Sequence, residues 1–220
     1  MKSKIILVIF ALCLPFSTLF AQGNGKKFTG SITYKITYPA SATNPIVASL
    51  PTTITMQIAG NKAKADLVLP FGKNTFIMNG DDISILHLME SEAGKFFVKK
   101  TKEEINKSLP QATVTPLKET KMIAGQSCKA VEVNSANAAK KSKVFYSDEL
   151  GNNNIYFNTE IRSVSGVMLE FEYNIMGIPV QLTAISVEPG RVSNKVFEIP
   201  AGFTETTEAK LREMKRLGKN

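Results

Sequence analysis

The sequence predicts a mainly β protein: one curled antiparallel sheet, a half-barrel of about ten strands, with a short mid-chain helix and a C-terminal helix. Apolar and polar residues alternate along many short segments, which is the period of a half-buried strand. Turn-forming pairs such as Asn79-Gly80 and Pro189-Gly190 separate these segments. No rhythm of strand, helix and strand is visible, so we expect antiparallel pairing. Because open sheet edges favour aggregation, we expect the meander to curl.

The predicted strands occupy most of the chain between residues 28 and 199. Residues 28–38 alternate most cleanly, with Ile32, Tyr34 and Ile36 on one face. Residues 117–133 form a hairpin that turns at residues 124–126, near the middle of the sequence. The other predicted strands are residues 53–58, 62–69, 75–78, 82–89, 96–101, 143–147, 155–165, 167–173, 178–187 and 192–199.

Two segments have helical spacing. In residues 102–109, Ile105 and Leu109 are four apart, and Pro110 follows them. Residues 206–217 have an apolar stripe, with acidic residues early and basic residues late, which suits the helix dipole. This basic C-terminal helix has two readings: it packs its apolar stripe on the sheet, or it makes a peripheral contact with an anionic membrane.

The N-terminus has the pattern of a secretory signal peptide in residues 1–21. A basic start precedes an apolar run, and Ala21 provides a small residue before the expected cleavage site. Residues 22–220 then form a single domain, and we expect an exported protein, periplasmic or extracellular. Lipid attachment at Cys13 is the alternative, but the bulky Leu12 beside that cysteine argues against it.

Composition restricts the class of function. The whole chain has a net charge of +8 and no tryptophan, and no basic run is interleaved with aromatic residues. Nucleic-acid binding is therefore not expected. Removal of residues 1–21 leaves Cys128 as the only cysteine, so no intramolecular disulfide can form and the domain must rely on packing.

No catalytic residue, metal site or cofactor is predicted. Cys128 and His87 would give a nucleophile and a base, but both lie in apolar strand settings that indicate core positions. Glu170 and Glu172 lie on one face of one strand, which is typical of a solvated face. The acidic pair at residues 81–82 follows a turn and lacks the spacing of a calcium loop.

The central hairpin carries a pattern that resembles a known family. Residues 121–133 read K-x-I-A-G-x-x-C-K-A-x-x-V, and residues 144–150 follow as VFYSDEL. This pattern resembles exported bacterial proteins of the domain of unknown function 4412, as do residues 28–38 and 174–203. The resemblance implies a fold similar to that of periplasmic lipoprotein carriers, a curled antiparallel half-barrel with helices across its open, apolar side.

The strand predicted at residues 82–89 is apolar on both faces, and so in part is the central hairpin. One sheet hides only one face in its own core, so the second must meet a helix, a partner or a ligand. We therefore expect a non-enzymatic protein with a concave apolar groove for a lipid, a lipidated chain or another hydrophobic molecule. The expected ligand-binding residues are Ile83, Ile85, His87, Met89, Met122, Val131 and Val133.

Two other functions stay open at this stage. The first is a structural or protein-interaction module of the cell envelope, in which the chain's own side chains fill the concave face. The second is a hydrolase. An apolar pocket without convergent polar groups would separate the ligand-binding protein from the hydrolase, and a filled interior would favour the module.

Overall fold

The computed structural model describes residue 25 and residues 27–40, 45–136 and 141–217. The predicted signal peptide, its cleavage site after Ala21 and Cys13 lie outside these residues. Twelve strands of the described part belong to one sheet. They are β1 (Thr29–Thr37), β2 (Thr53–Ala59), β3 (Lys62–Leu69), β4 (Gly72–Asn79), β5 (Ser84–Ser91), β6 (Gly94–Lys100), β7 (Ala112–Ile123), β8 (Gln126–Ser135), β9 (Ser142–Ser147), β10 (Val167–Ile175), β11 (Ile178–Pro189) and β12 (Thr204–Glu205).

The strands follow the order β12-β6-β5-β4-β3-β2-β1-β11-β10-β9-β8-β7. Neighbours pair antiparallel, except that β12 runs parallel to β6 over two residues. In this described sheet β12 and β7 stand at opposite ends of the order, so the sheet is open and does not close into a barrel. The predicted mainly β, antiparallel fold is confirmed.

The burial of side chains along the strands follows the predicted alternation. Ile32 and Tyr34 on β1 have no exposed surface, and Ala63 and Leu67 on β3 are buried in the same cluster. That cluster draws side chains from β1, β2, β3 and from β7 to β11, so it joins distant parts of the strand order. The main core therefore lies inside the bend of the sheet.

Irregular pairing bends the sheet. Ile185 is skipped in the β1–β11 register, because Thr33 faces Ser186 while Tyr34 faces Ala184. A second irregularity lies between β9 and β10. Bulges of this kind bend a strand and increase its twist. Side chains from β2 to β5 and from β8 to β11 consequently converge on one concave face.

Residues 151–166, which we call the cover segment, contact this concave face as a series of turns. The strand predicted for residues 155–165 is therefore wrong. Asn153 gives the reason: its side chain accepts a hydrogen bond from the Phe28 N–H at 3.0 Å and donates to the carbonyl oxygens of Phe28 and Gly60. Such side-chain bonds compete with strand pairing. The buried side chains of the cover segment include Ile155, Tyr156, Phe157, Ile161 and Val164.

The convex face is covered beside β4 and β5 by residues from the segment 192–203. Phe197 packs there with Ile77 and Leu88 in a second hydrophobic cluster. Ile85, on the other face of β5, packs with the cover segment in a third cluster. Strand β5 is thus apolar on both faces because each face meets a different part of the chain.

The strand predicted for residues 192–199 is also wrong, because Asn194–Phe197 form a 3-10 helix. Ser193 begins it, since its Oγ accepts a hydrogen bond from the Lys195 N–H at 3.3 Å. Serine competes effectively for backbone donors at such positions, and this overrides the apolar pattern of the segment.

The two predicted helices are short: α1 spans Lys102–Lys107 and α2 spans Glu208–Leu217. A capping box begins α1, with the Thr101 N–H donating to Glu104 at 2.8 Å and the Glu104 N–H donating back to Thr101. Ile105 is the side chain by which α1 joins the third cluster. Within the described residues, no helix is long and apolar enough to cross a membrane.

Candidate ligand-binding cavity

A cavity of about 410 Å³ lies between the concave face and the cover segment. This volume falls in the range of small-molecule pockets, roughly 300–1,000 Å³. Strands from both sides of the bend contribute to its wall, so the cavity exists because the sheet curls. Its apolar and aromatic lining residues are Tyr34, Ile54, Met56, Ala65, Leu67, Phe76, Met78, Ile85, Pro110, Val133, Val144, Ile155, Tyr156, Ile161, Phe171, Tyr173, Ile175, Pro179 and Leu182.

Two tyrosines of the cavity wall are hydrogen-bonded to the backbone of one residue, Met168. The Tyr34 hydroxyl donates to the carbonyl oxygen of Met168 at 2.8 Å, and the Met168 N–H donates to the Tyr156 hydroxyl at 3.2 Å. Burial raises the pKa of Tyr156 to about 12 and raises the pKa of Tyr34 well above its ordinary value. Both rings therefore stay neutral and present apolar surface.

Tyr173 is a partly exposed aromatic residue of the cavity wall. It leaves 46% of its surface accessible, and it lines the cavity beside Phe171 and Ile175 on β10. Desolvation raises the pKa of its hydroxyl, so the ring stays neutral. Because Tyr173 lines the cavity, a ligand bound there would contact it.

The polar part of the lining comes from Ser135, Ser142, Asn158, Thr159, Glu160, Glu172 and Asn174. The hydroxyl of Ser135 donates to the carboxylate of Glu160, which links β8 to the cover segment. The amide oxygen of Asn158 is buried and has no hydrogen-bond partner in the described structure. A buried acceptor left unpaired costs about 1–3 kcal/mol, so a donor on a bound molecule would be favourable at Asn158.

The structure brings together two of the seven ligand-binding residues expected from the sequence. Ile85 and Val133 line the cavity from strands that are far apart in the sheet order. Val131 is buried in the main core two residues before Val133. Ile83 lies in the turn before β5, with a φ of 55°, and packs on the third cluster. Met122 is 66% exposed at the end of β7 and does not line the cavity.

His87 and Met89 lie on the same side of β5 as Ile85 but do not appear in the cavity wall. The His87 ring stacks on Phe76 with centroids 4.4 Å apart, and its Nε2 hydrogen-bonds the side-chain oxygen of Asn74 at 2.8 Å. Phe76 does line the cavity. His87 thus packs beside an aromatic wall residue, because the two residues are paired across β4 and β5.

Cys128 and Glu170, which were considered for catalysis, lie outside the cavity wall. Cys128 has no exposed surface, burial raises the pKa of its thiol to about 11, and its Sγ donates to the carbonyl oxygen of Gln126 at 3.5 Å. Glu170 forms an ion pair with Lys121 at 2.7 Å. Among the described residues, no group of three or more histidine, cysteine or acidic side chains could hold a metal ion.

Several wall residues were not expected from the sequence, including Phe76, Phe171 and Tyr173. Phe171 and Tyr173 lie in a strand whose alternation is visible, so their face could be predicted, whereas Phe76 lies in a continuous apolar run. Which faces meet across the bend depends on the curl and on the cover segment, and a period-two pattern carries no information about either.

The fold and the cavity define a class: a mainly β protein with one curled antiparallel sheet and an apolar cavity on its concave side. No family model matches the chain, and no curated protein matches it. The chain is similar to two solved structures of PNGF-II in different space groups, at 16% identity with a TM-score of 0.54 and at 14% identity with a TM-score of 0.55. Each match covers 85% of this chain.

The chain spans only about a third of the PNGF-II chains, 33% of one and 32% of the other. At such low identity the likeness shows the fold alone. In PNGF-II, a sheet of this architecture is part of a longer chain. The resemblance to the domain of unknown function 4412 stays a prediction.

Proposed function

We propose that this chain is an exported, non-enzymatic β-protein that binds a hydrophobic ligand, a lipid or a lipidated chain, in its concave cavity. The observation that carries the proposal is the cavity itself. Its lining is predominantly aliphatic and aromatic, and its volume of about 410 Å³ is sufficient for a small apolar molecule.

The cavity leaves part of its apolar lining accessible to water. Covering a large apolar side chain contributes roughly 1.5–3 kcal/mol. Tyr173 lines the cavity and is 46% exposed, and several lining side chains from β2 to β4 are only partly buried. A ligand that removes this surface from water would bind through the hydrophobic effect.

The groups considered for catalysis, Cys128 and Glu170, do not line the cavity. A nucleophilic cysteine needs a thiolate, whereas burial raises the pKa of Cys128 to about 11. Paired carboxylates that act on a glycosidic bond flank the substrate from separate elements, whereas Glu170 is engaged by Lys121 and Thr183. We therefore assign no catalytic role to these groups.

The export part of the proposal rests on the charged start and apolar run of residues 1–21. Its test is the intact mass of the protein recovered from the periplasm or medium of a producing cell. A mass equal to that of a chain starting at Gln22 supports export and cleavage after Ala21. A lipid-modified chain starting at Cys13 would instead make the protein a lipoprotein.

Ligand binding is tested with Nile red, an uncharged dye whose emission increases in apolar surroundings. We expect the folded protein to bind one dye per chain in the micromolar range, and excess long-chain alcohol to displace it. Loss of binding on unfolding in urea is the control for adsorption to apolar segments. A folded protein that leaves dye emission unchanged would contradict the proposal.

A second function is favoured by one observation, the extent to which the cover segment occupies the concave face. Ile155, Phe157 and Ile161 are all buried there. If the remaining space is only a packing defect, the protein is a structural or protein-interaction module of the cell envelope. Failure of the dye experiment, with the fold intact by circular dichroism, would favour this module.

A further inference from the structure

A second cavity, of about 290 Å³, lies beside the cover segment, and we call it the polar cavity. Its wall contains two cations, Lys27 and Arg162, and four asparagines, Asn61 and residues 152–154. Tyr156 lines both the polar cavity and the apolar cavity described above. The two cavities are therefore neighbours, but their linings differ in chemistry.

The charge of the polar cavity is positive. No acidic residue belongs to its wall, and all 19 aspartates and glutamates of the chain lie in the part that the structure describes. No other part of the chain can therefore bring an acidic side chain to it. Within the described residues, neither Lys27 nor Arg162 forms a salt bridge. A concave surface with charges of one sign attracts ions of the opposite sign.

Two backbone carbonyls hold Arg162 in place. Its Nη1 donates to the carbonyl oxygens of Pro110 at 2.7 Å and of Thr159 at 3.1 Å. These two bonds do not engage the N–H groups of Nε and Nη2. A guanidinium uses such a pair of N–H groups to bind a carboxylate or a phosphate through two parallel hydrogen bonds. Arg162 can therefore bind an anion and keep the contacts that position it.

The rest of the wall is also fixed. The stem of Lys27 lies over the turn between β2 and β3, because its Cδ is 3.8 Å from the position of a Cβ built on Gly60. The side chain of Asn61 donates to Asp81 at 2.7 Å and accepts a hydrogen bond from the Asn154 N–H at 3.0 Å. Polar groups that are fixed before binding lose less conformational freedom when a ligand arrives.

We propose that the polar cavity is a binding site for an oxyanion, a phosphate or carboxylate group, with Arg162 as the bidentate donor and Lys27 as the second cation. This inference goes beyond the proposed function, because the site does not depend on the apolar lining. The oxyanion has two sources. It is a free anion, or it is the headgroup of an amphiphile whose chain occupies the apolar cavity next to Tyr156.

Isothermal titration calorimetry with inorganic phosphate at low ionic strength tests the site. We expect the unaltered protein to bind phosphate, and Lys27→Gln to bind it at least about tenfold more weakly. Arg162→Lys keeps the charge and loses the bidentate donor, so it should also weaken binding. Lys118→Gln is the matched control, because Lys118 is exposed on β7 and its loss removes the same charge.

Two calorimetric results would overturn the proposal. The first is a folded, unaltered protein that does not bind phosphate. The second is a Lys118→Gln protein that loses as much affinity as Lys27→Gln, since the effect would then come from the net charge and not from the polar cavity. Circular dichroism of each variant establishes that the fold is retained.

Displacement of Nile red distinguishes the two sources of the oxyanion. If the site holds a headgroup, dodecyl phosphate should displace the dye at a concentration at least about tenfold lower than dodecanol, and Arg162→Lys should reduce this difference. If the site takes a free anion, phosphate should bind without displacing the dye, and the two dodecyl compounds should be equivalent.

The site and the proposed function fail in different ways. Dodecanol that displaces Nile red from a protein unable to bind phosphate or to favour dodecyl phosphate would overturn the site and leave the proposed function in place. A protein that binds phosphate through Lys27 and Arg162 but does not bind Nile red would support the site and overturn the proposed function.

Discussion

At the scale of single residues, Met168 explains the position of two buried tyrosines. It lies beside the irregular pairing of β9 with β10, and the pairing of β10 with β11 begins only at Glu170. Tyr34 and Tyr156 supply a donor and an acceptor for its backbone carbonyl and N–H groups. Two aromatic rings can therefore lie at an apolar wall while their hydroxyls stay satisfied.

This arrangement predicts a loss of stability at high pH. Unfolded tyrosines lose their protons near pH 10, whereas burial raises the pKa of Tyr156 to about 12 and that of Tyr34 well above its ordinary value. The folded state therefore binds more protons above pH 10. The stabilising contribution is complete below pH 10 and is lost as the pH rises toward and beyond about 12.

The measurement is the free energy of unfolding in urea between pH 7 and pH 11. We expect a flat profile below about pH 9 and a decline above about pH 10, with each tyrosine contributing up to roughly 1.4 kcal/mol per pH unit. Tyr156→Phe should lower stability by about 1 kcal/mol at neutral pH and reduce the decline by the share of one group. An unchanged slope in this variant would show that other groups cause the decline.

Cys128 allows a second prediction at this scale. Its side chain has no exposed surface and burial raises the pKa of its thiol to about 11. A thiol reagent at pH 8 should therefore react very slowly with the folded cleaved protein and titrate one equivalent after denaturation. Rapid reaction of the folded protein would show an open or reactive thiol and would revive the hydrolase hypothesis.

At the scale of elements, the cover segment is held by asparagine side chains and by one close approach. The side chain of Asn154 donates to the carbonyl oxygen of Gly80 at 2.8 Å, and its N–H donates to the side chain of Asn61 at 3.0 Å. A Cβ added at Gly80 would overlap the carbonyl oxygen of Asn154. Glycine at the turn between β4 and β5 is thus required for the cover segment to reach its place.

Gly80→Ala should therefore displace the start of the cover segment and lower the free energy of unfolding by about 1–3 kcal/mol. Hydrogen exchange of the amides in residues 153–164 should become faster. Gly190→Ala is the matched control, because nothing lies within 4 Å of a Cβ added there. If the two variants have the same stability and exchange, the contact between Gly80 and Asn154 does not hold the segment.

The sequence predicts the strands well where each has a regular pattern and close neighbours. Residues 62–69 match β3 in both limits, and the turn at residues 124–125 lies between β7 and β8 as expected. Ala124 and Gly125 both have positive φ, 47° and 77°, which suits a tight hairpin turn. These features depend on local geometry, which the sequence determines directly.

The errors have a common physical cause, which is hydrogen bonding by side chains to backbone groups. The segments 155–165 and 192–199 are apolar enough for strands, but Asn153 and Ser193 direct the chain into turns and a 3-10 helix. The partners of Asn153 are more than ninety residues away in sequence. Periodicity alone cannot predict a partner at that distance, and so it could not predict what covers the concave face.

At the scale of the whole molecule, the candidate site is a consequence of curvature. Ile85 and Val133 were expected to bind a ligand because their strands looked apolar on both faces. They meet around one cavity only because the sheet bends between β5 and β8. The two faces of β5 pack differently: Leu88 is covered by Phe197 on the convex side, whereas Ile85 faces the cavity.

This geometry makes Ala65 the position from which the cavity can be filled. Ala65 lies on β3, pairs with Met56 and with Phe76, and lines the cavity together with them. A larger side chain there has no space except the cavity, because Ala65 is 6% exposed. Ala65→Met adds a flexible apolar chain that can adapt to irregular space.

Ala65→Met should reduce the affinity for Nile red at least about tenfold, since the methionine occupies the volume that the dye needs. The unfolding free energy should change by less than about 1.5 kcal/mol, because the added chain enters existing space rather than a packed core. Ala93→Met, at an exposed turn position, is the control and should keep full affinity. Unchanged dye binding in Ala65→Met would place the dye on exposed apolar residues such as Phe71 or Met176, which are each 51% exposed, and would remove the support for the cavity as the binding site.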